Sequence, residues 1–274
     1  MNKILRYALI IGILLIPFVP LVVSGKMFFP FITGKNFAFR ILVELLLGGW
    51  AILAVLDKAY RPKFSWLLIS VLSFVGIIAI ADIFGENSFK SIWSNFERME
   101  GLLTLIHLIG YFVVAGLVLN TEKLWNYFWN TTVGVSVIVG IYGLLQLAGK
   151  ITINQGGVRL DATFGNASYL AIYMLFHIFI TTFLLVRYRG ASWVKYIYGA
   201  IIALQLVILY FTATRGSILG LVGGVFVATL LIVLFEKERV KLRKVSIGIL
   251  IATVAFSGLF ILVKDSRFVN KSPV

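Results

Sequence analysis

Two arginines stand beside apolar runs, where their side chains could bind an anion. Arg159 opens the stretch RLDATFGNASYLAIY, residues 159–173, and Arg215 lies within FTATRGSILGLVGG, residues 211–224. A guanidinium is a planar donor that holds phosphate through two parallel hydrogen bonds. The alternatives are an interfacial loop in which Arg159 is solvated or pairs with Asp161, and an Arg215 that only reaches the lipid headgroups.

The turn after Arg159 supports the hypothesis that this stretch binds an anion. Gly165 permits a sharp turn, and Asn166 or Ser168 could cap the helix that follows. A helix N-terminus offers unpaired N–H groups and a partial positive charge. Asp161 and Asn166 are therefore further candidates for this site. Arg98 is another, in SIWSNFERMEGLLTLIHL, residues 91–108, a stretch that resembles a helix lying on the membrane surface.

Three other ionisable residues, Glu44, His107 and His177, fall inside apolar runs, where each needs a partner. Two histidines seventy positions apart do not suggest a metal site, and the chain has no cysteine. We therefore predict no metal and no cofactor, and we interpret both histidines as hydrogen-bonded structural residues. Gly216, Gly220 and Gly224 recur every four residues, which predicts a small face for close helix packing.

The composition predicts which elements position these residues. Of 274 residues, 60% are hydrophobic and 13% are charged, which is typical of a membrane protein rather than a soluble domain. About 20 apolar residues span a bilayer. Nine runs meet this length approximately, so we predict an all-α, polytopic transmembrane helix bundle that forms a single membrane domain over residues 1–274. The predicted spans are 4–23, 40–56, 64–83, 102–119, 125–148, 166–186, 193–211, 216–235 and 245–263, the second being the shortest.

The distribution of positive charge predicts the orientation of the chain. With the N-terminus in the cytoplasm, the inner segments hold fourteen Lys and Arg residues and the outer segments eleven, which agrees with the positive-inside rule. The strongest inner element is EKERVKLRK at 236–244. This topology explains the net charge of +14 without a nucleic-acid partner. It also places Arg98, Arg159 and Arg215 on the outer face.

Three stretches together resemble the membrane part of the O-antigen ligase family, which includes O-antigen polymerases and protein O-glycan ligases. They are RMEGLLTLIHLIGYF (98–112), RLDATFGNASYLAIY (159–173) and TATRGSILGL (212–221), in the family's order. The middle motif departs from the family pattern, because Gly165-Asn166-Ala167-Ser168 replaces an Asn-Pro-Asn run. The third carries Thr214 where the family has serine. Neither departure changes an arginine.

The resemblance implies a metal-independent, inverting glycosyltransferase with a GT-C-like fold, acting on the outer face of the bacterial cytoplasmic membrane. The donor would be a glycan on undecaprenyl diphosphate, held by Arg159 and Arg215, and the acceptor a hydroxyl on a lipid or protein. The family's catalytic base is a histidine on a long outer loop, which we expect beyond residue 274. We therefore interpret the chain as an N-terminal fragment that is inactive alone, with its catalytic residue unknown.

Two alternatives stay open at this stage. A polymerase of the same family needs the same donor-binding residues as a ligase. A non-enzymatic transporter of lipid-linked glycans could also use a cationic cavity, although no internal repeat of the kind common in transporters is visible.

Overall fold

The computed structural model describes residues 2–95, 100–155 and 157–263, and in these ranges it consists of helices, turns and loops without a strand. Three short 3-10 helices cover Ile16–Leu21, Lys58–Tyr60 and Ala162–Phe164. The α-helices of the described ranges are α1 (Asn2–Leu15), α2 (Thr33–Leu56), α3 (Trp66–Ile83), α4 (Ser88–Trp93), α5 (Leu102–Val118), α6 (Glu122–Leu147), α7 (Ala167–Arg187), α8 (Ser192–Phe211), α9 (Arg215–Phe235) and α10 (Val240–Val263).

Seven helical segments in the described part are long and apolar enough to cross a membrane. They are Lys3–Leu21, Thr33–Leu56, Trp66–Ile83, Glu122–Leu147, Ala167–Arg187, Ser192–Phe211 and Arg215–Phe235. The predicted span 102–119 corresponds to α5, which is apolar but shorter, and 245–263 lies inside α10, which is not among the seven. The all-α prediction is thus confirmed at the level of helices, while the count of nine spans and the GT-C arrangement stay predictions.

The second predicted span starts too late. Residues 33–39 belong to α2, which begins at Thr33 rather than at residue 40. Two cations lie inside this helix because each has an acceptor nearby. The Lys35 ammonium donates to the Phe31 carbonyl at 2.9 Å, and Arg40 Nη2 donates to Thr104 Oγ1 of α5 at 2.9 Å. A charge in an apolar run therefore does not end the helix when a neighbour satisfies it.

Large apolar side chains point away from the helix packing along most of these helices. Ile77 of α3 and Leu219 of α9 are 67% and 68% exposed, and similar residues recur on α1, α2 and α8. A soluble monomer rarely exposes so much contiguous apolar surface. Together with the helix lengths, this indicates a membrane protein.

The chain divides into two compact units, residues 1–135 and 136–274, with the division inside α6. In the first unit, α1, α2 and α5 share an apolar core that includes Ile13, Leu53 and Val118. Near the end of α2 the chain turns back, and Trp50 Nε1 donates to the Tyr60 carbonyl at 3.0 Å. This contact fixes the turn that leads into α3.

In the second unit, α7 packs against α8 and α9, and α9 packs against α10. A buried polar group links three helices: Gln205 Nε2 of α8 donates to Ser136 Oγ of α6 at 2.8 Å and to Thr181 Oγ1 of α7 at 3.1 Å. All three residues are fully buried, so each polar group is satisfied by another helix. These contacts fix the relative positions of the helix ends that carry the candidate site.

The glycine stripe of α9 has two members that permit close packing. A Cβ atom at Gly220 would lie 3.3 Å from Leu175 of α7, and one at Gly224 would lie 2.6 Å from Phe179 Cζ. At Gly216 a Cβ would meet nothing within 4 Å. Close packing on α7 is therefore confirmed for Gly220 and Gly224 only.

A candidate anion site at one end of the second unit

The loop between α6 and α7 is organised around the carboxylate of Asp161, which is fully buried. Its Oδ1 accepts hydrogen bonds from Gln146 Nε2 at 2.7 Å and from Asn154 Nδ2 at 3.4 Å. Its Oδ2 accepts from the backbone N–H of Gln155 at 2.7 Å. A buried carboxylate is costly unless its lone pairs are satisfied, and here three donors satisfy them.

The expected pairing of Asp161 with an arginine is not present among the described residues. All three of its hydrogen-bond donors are neutral amides, and the ion pair within 4.0 Å in the described part joins other residues, His107 and Glu44. The physical reason is direction: Asp161 points into the loop interior, toward the last turn of α6, whereas Arg159 points toward α8 and α9. Asp161 thus stabilises the conformation of this loop.

Gln146 is the second organising residue of the loop. Its Nε2 also donates to the Thr152 carbonyl at 2.9 Å, and its Oε1 accepts from the backbone N–H of Ala162 at 2.8 Å. The side chain is 3% exposed. One amide on the last turn of α6 therefore ties together the start and the end of the loop.

The turn into α7 follows the sequence prediction. Gly165 has φ +62°, and Asn166 Oδ1 caps the helix by accepting from the N–H groups of Ser168 and Tyr169 at 2.8 and 3.4 Å. The N–H of Ala167 donates to Gln155 Oε1 at 2.8 Å. Because the oxygen of Asn166 is used in this cap, its described role is to start α7.

Arg159 attaches the loop to the junction between α8 and α9. Its Nε donates to the Thr212 carbonyl at 2.9 Å, and its Nη2 donates to Thr214 Oγ1 at 3.1 Å. The adjacent N–H of Leu160 donates to the Phe211 carbonyl at 3.1 Å. Two of the five N–H donors of the guanidinium are thereby used, and its half-buried head is held beside the first residues of α9.

Arg215 is the first residue of α9 and directly follows Thr214, the residue that Arg159 contacts. Its side chain is exposed. None of the hydrogen bonds or ion pairs of the described residues involves the Arg215 guanidinium. The structure therefore brings the two predicted arginines to one place, with Arg159 fixed and Arg215 directed outward.

Two residues at this place have strained backbones. Ala162, next to Asp161, has φ +43°, and Ala213, between Thr212 and Thr214, has φ +49°. A left-handed conformation at alanine costs about 1–3 kcal/mol and persists only where the surroundings impose it. Here the surroundings are the hydrogen bonds of Gln146 on one side and Arg159 on the other.

The arrangement presents hydrogen-bond donors that suit an anion. The Arg159 guanidinium has donors left after its protein contacts, and the exposed Arg215 can rotate toward the same ligand. The start of α9 adds the partial positive charge of a helix N-terminus. No group of three His, Asp or Glu side chains suited to a metal ion occurs in the searched, described residues.

The other sequence candidates lie outside the described residues or in other elements. Arg98 and Glu97 lie outside the described residues, and Glu100 is exposed. His177 is buried within α7, with Nδ1 2.7 Å from the Tyr173 carbonyl oxygen. His107 lies in the first unit, on α5. The two histidines have described hydrogen-bond partners, as the prediction of a structural role requires.

Sequence reasoning missed Gln146, Asn154, Gln155, Thr212 and Thr214. A signal existed for Gln146, a polar residue in the last turn of an apolar run, where a membrane helix would otherwise carry an apolar side chain. The others are ordinary loop residues by type, and only the fold gives them partners.

Comparison with protein-family models, with curated proteins and with solved structures gives no significant match for this chain. The resemblance described from the three motifs therefore stays a prediction, and the function must be argued from the site.

Proposed function

We propose that this protein is a membrane glycosyltransferase that moves a glycan from undecaprenyl diphosphate to a hydroxyl acceptor on a lipid or protein. In this proposal it is a metal-independent, inverting glycan ligase that acts on the outer face of a bacterial cytoplasmic membrane. The proposal combines the motif resemblance with the geometry of Arg159 and Arg215.

One observation carries the proposal. Arg159 donates to Thr214 Oγ1 at 3.1 Å, and Thr214 immediately precedes the exposed Arg215 at the start of α9. Arg159 is thereby held next to the backbone that carries Arg215, at the ends of apolar helices, where a lipid-linked diphosphate would have its anionic group. A diphosphate has two phosphoryl groups, and each guanidinium fork can bind one of them.

The chemistry asked of the arginines is charge stabilisation. In the transfer, the acceptor oxygen attacks the anomeric carbon, and the bond from that carbon to the diphosphate oxygen breaks. The electron pair of the broken bond leaves with the diphosphate, whose growing negative charge the two guanidiniums would stabilise. The acceptor proton must go to a base, a role that commonly contributes about 10²–10⁴-fold.

Asp161 is unsuited to act as this base. It is fully buried, and its oxygens already accept three hydrogen bonds, so an acceptor hydroxyl could reach it only after the loop opened. Glu100 is exposed and stays a candidate by chemistry alone. The resemblance assigns the role to a histidine on a long outer loop.

The proposal is tested first by binding. The protein in lipid nanodiscs is titrated with undecaprenyl diphosphate and, separately, with undecaprenyl monophosphate, and the bound fraction is read by native mass spectrometry. We expect the diphosphate to bind more tightly, and Arg215→Ala to weaken its binding at least tenfold. The matched control is Lys241→Ala, an exposed cation in the first turn of α10.

Equal affinity for both lipids in wild type and Arg215→Ala would exclude the diphosphate site. A second assay offers a diphosphate-linked glycan and a hydroxyl acceptor, and measures covalent transfer and movement of the donor across vesicles. Movement of the donor across the vesicle membrane would favour the transporter, and joining of donor glycans to one another would favour the polymerase.

A further inference from the structure

We infer that Glu44 of α2 and His107 of α5 form a proton-binding site within the apolar helices, in which the two side chains hold one proton between them. The inference concerns the first unit and does not rest on the proposed function.

The proton on one ring nitrogen is fixed by the backbone. His107 Nδ1 lies 2.6 Å from the carbonyl oxygen of Leu103, one turn earlier on α5. A carbonyl oxygen can only accept a hydrogen bond, so Nδ1 must be the nitrogen that donates. In a neutral imidazole this leaves Nε2 without a proton.

The second ring nitrogen then meets a carboxyl group. Nε2 lies 3.1 Å from Glu44 Oε1. If Glu44 were ionised and the ring neutral, two lone pairs would face each other across this distance. The contact is favourable in two states: an imidazolium beside a carboxylate, or a neutral imidazole that accepts from a carboxylic acid. Both states contain one proton more than a neutral imidazole beside an ionised carboxylate.

The position of the pair in the helix makes its net charge important. Glu44 is in the middle of the 24-residue α2, about 16 Å from its first residue at 1.5 Å per residue. A lone carboxylate at that depth is costly, whereas the protonated pair carries no net charge. The Glu44 side chain is 65% exposed and that of His107 12%, so Glu44 is the member of the pair that a membrane-soluble reagent can reach.

Other charged groups do not replace this proton. Arg40 lies one turn from Glu44 on α2; its guanidinium donates to Thr104 Oγ1 and also interacts electrostatically with the Glu44 carboxyl group. The remaining ionisable groups on α2, α5 and the described elements packed against them make no described hydrogen bond or ion pair with Glu44 or His107; they are Lys3, Arg6, Tyr7, Lys35, Lys58, Tyr60, Asp82, Lys90 and Tyr111. Because the 3.1 Å contact needs a proton on one of its two atoms, a distant cation cannot substitute for it.

Nitrogen-15 spectroscopy tests the proton on the ring directly. The chain has two histidines, so labelling histidine alone gives two rings to assign, and a His177→Asn variant separates them. His177 provides a comparison ring, because its Nδ1 also lies near a carbonyl oxygen, that of Tyr173. Spectra of the protein in nanodiscs near neutral pH should show a protonated Nδ1 on His107.

A hydrophobic carbodiimide completes the test, because it modifies carboxyl groups that carry a proton. Two results support the site: His107 with both nitrogens protonated, or His107 with only Nδ1 protonated together with modification of Glu44 found by mass spectrometry. If the imidazolium is the state observed, Glu44→Gln should abolish its signal. Two results would overturn the inference. One is an unprotonated Nδ1 on His107, and the other is an unprotonated Nε2 on His107 together with an unmodified Glu44.

Discussion

At the scale of single residues, the two arginines of the candidate site differ in what holds them. Arg159 is half-buried and has two hydrogen bonds to the start of α9, whereas Arg215 is exposed. We expect Arg159→Ala to lower the free energy of unfolding by about 1–2 kcal/mol, and Arg215→Ala to leave it unchanged. Both should weaken diphosphate binding. Thermal unfolding in nanodiscs with and without the lipid measures the two effects separately.

The Arg159→Lys variant separates the effect of charge from that of the planar guanidinium. A lysine at 159 keeps the charge but lacks the planar fork that reaches the Thr212 carbonyl and Thr214 Oγ1 together. We therefore expect Arg159→Lys to recover little stability. Full recovery of both stability and binding would show that charge alone matters at this position.

Asp161 supports a prediction about its isosteric variant. Asn at 161 would place an amide NH₂ where the carboxylate now accepts hydrogen bonds from Gln146, Asn154 and Gln155. At least one buried donor would lose its acceptor, at a cost of about 1–3 kcal/mol. We expect Asp161→Asn to reduce stability and abundance, measured by thermal unfolding, with Glu100→Gln as the exposed control. Unchanged stability of Asp161→Asn would contradict this structural role.

The residue types of the site could be predicted from the sequence, but their partners could not. Arg159 and Arg215 stand out because charge is rare beside apolar runs. That Arg159 reaches Thr212, and that Asp161 reaches Gln146, depends on how the ends of α6 and α8 lie near the start of α9. For Asp161, proximity in sequence suggested the adjacent arginine, and the direction of the side chain decided otherwise.

At the scale of helices, the packing of α9 on α7 depends on the absence of a side chain at Gly224. A Cβ there would lie 2.6 Å from Phe179 Cζ, so Gly224→Val should force the ring to move and cost about 1–3 kcal/mol. Gly223→Val is the matched control, because a Cβ at Gly223 meets nothing within 4 Å. The stability of both variants is measured by thermal unfolding in nanodiscs. Equal stability of the two variants would contradict this packing.

Helix existence could be predicted more reliably than helix ends. Apolar runs locate the seven long segments because a membrane helix needs about 20 apolar residues. The start of α2 was missed because Lys35 and Arg40 lower the hydropathy of residues 33–40, although both have acceptors in the fold. The 3-10 helix after α1 reflects Pro17 and Pro20, whose effect on local geometry a hydropathy run does not show.

At the scale of the whole molecule, the charge distribution predicts one orientation of the helices in the membrane. Lys195 and the basic segment 236–244 adjoin the α7–α8 and α9–α10 connections. The loop with Arg159 and the junction with Arg215 adjoin the opposite ends of the same helices. If the basic connections face the cytoplasm, as the positive-inside rule favours, the anion site faces outward.

This orientation gives the final prediction, which uses the absence of cysteine from the chain. Val158 is 78% exposed in the α6–α7 loop, and its side chain makes no hydrogen bond, so Val158→Cys should leave the Asp161 network intact. Lys195 is exposed on the first turn of α8, near the opposite helix ends. In intact cells, a membrane-impermeant maleimide should modify Val158→Cys at once, and Lys195→Cys only after the inner face is opened. The reverse pattern would place Arg159 and Arg215 in the cytoplasm, where they could not meet a donor presented on the outer leaflet.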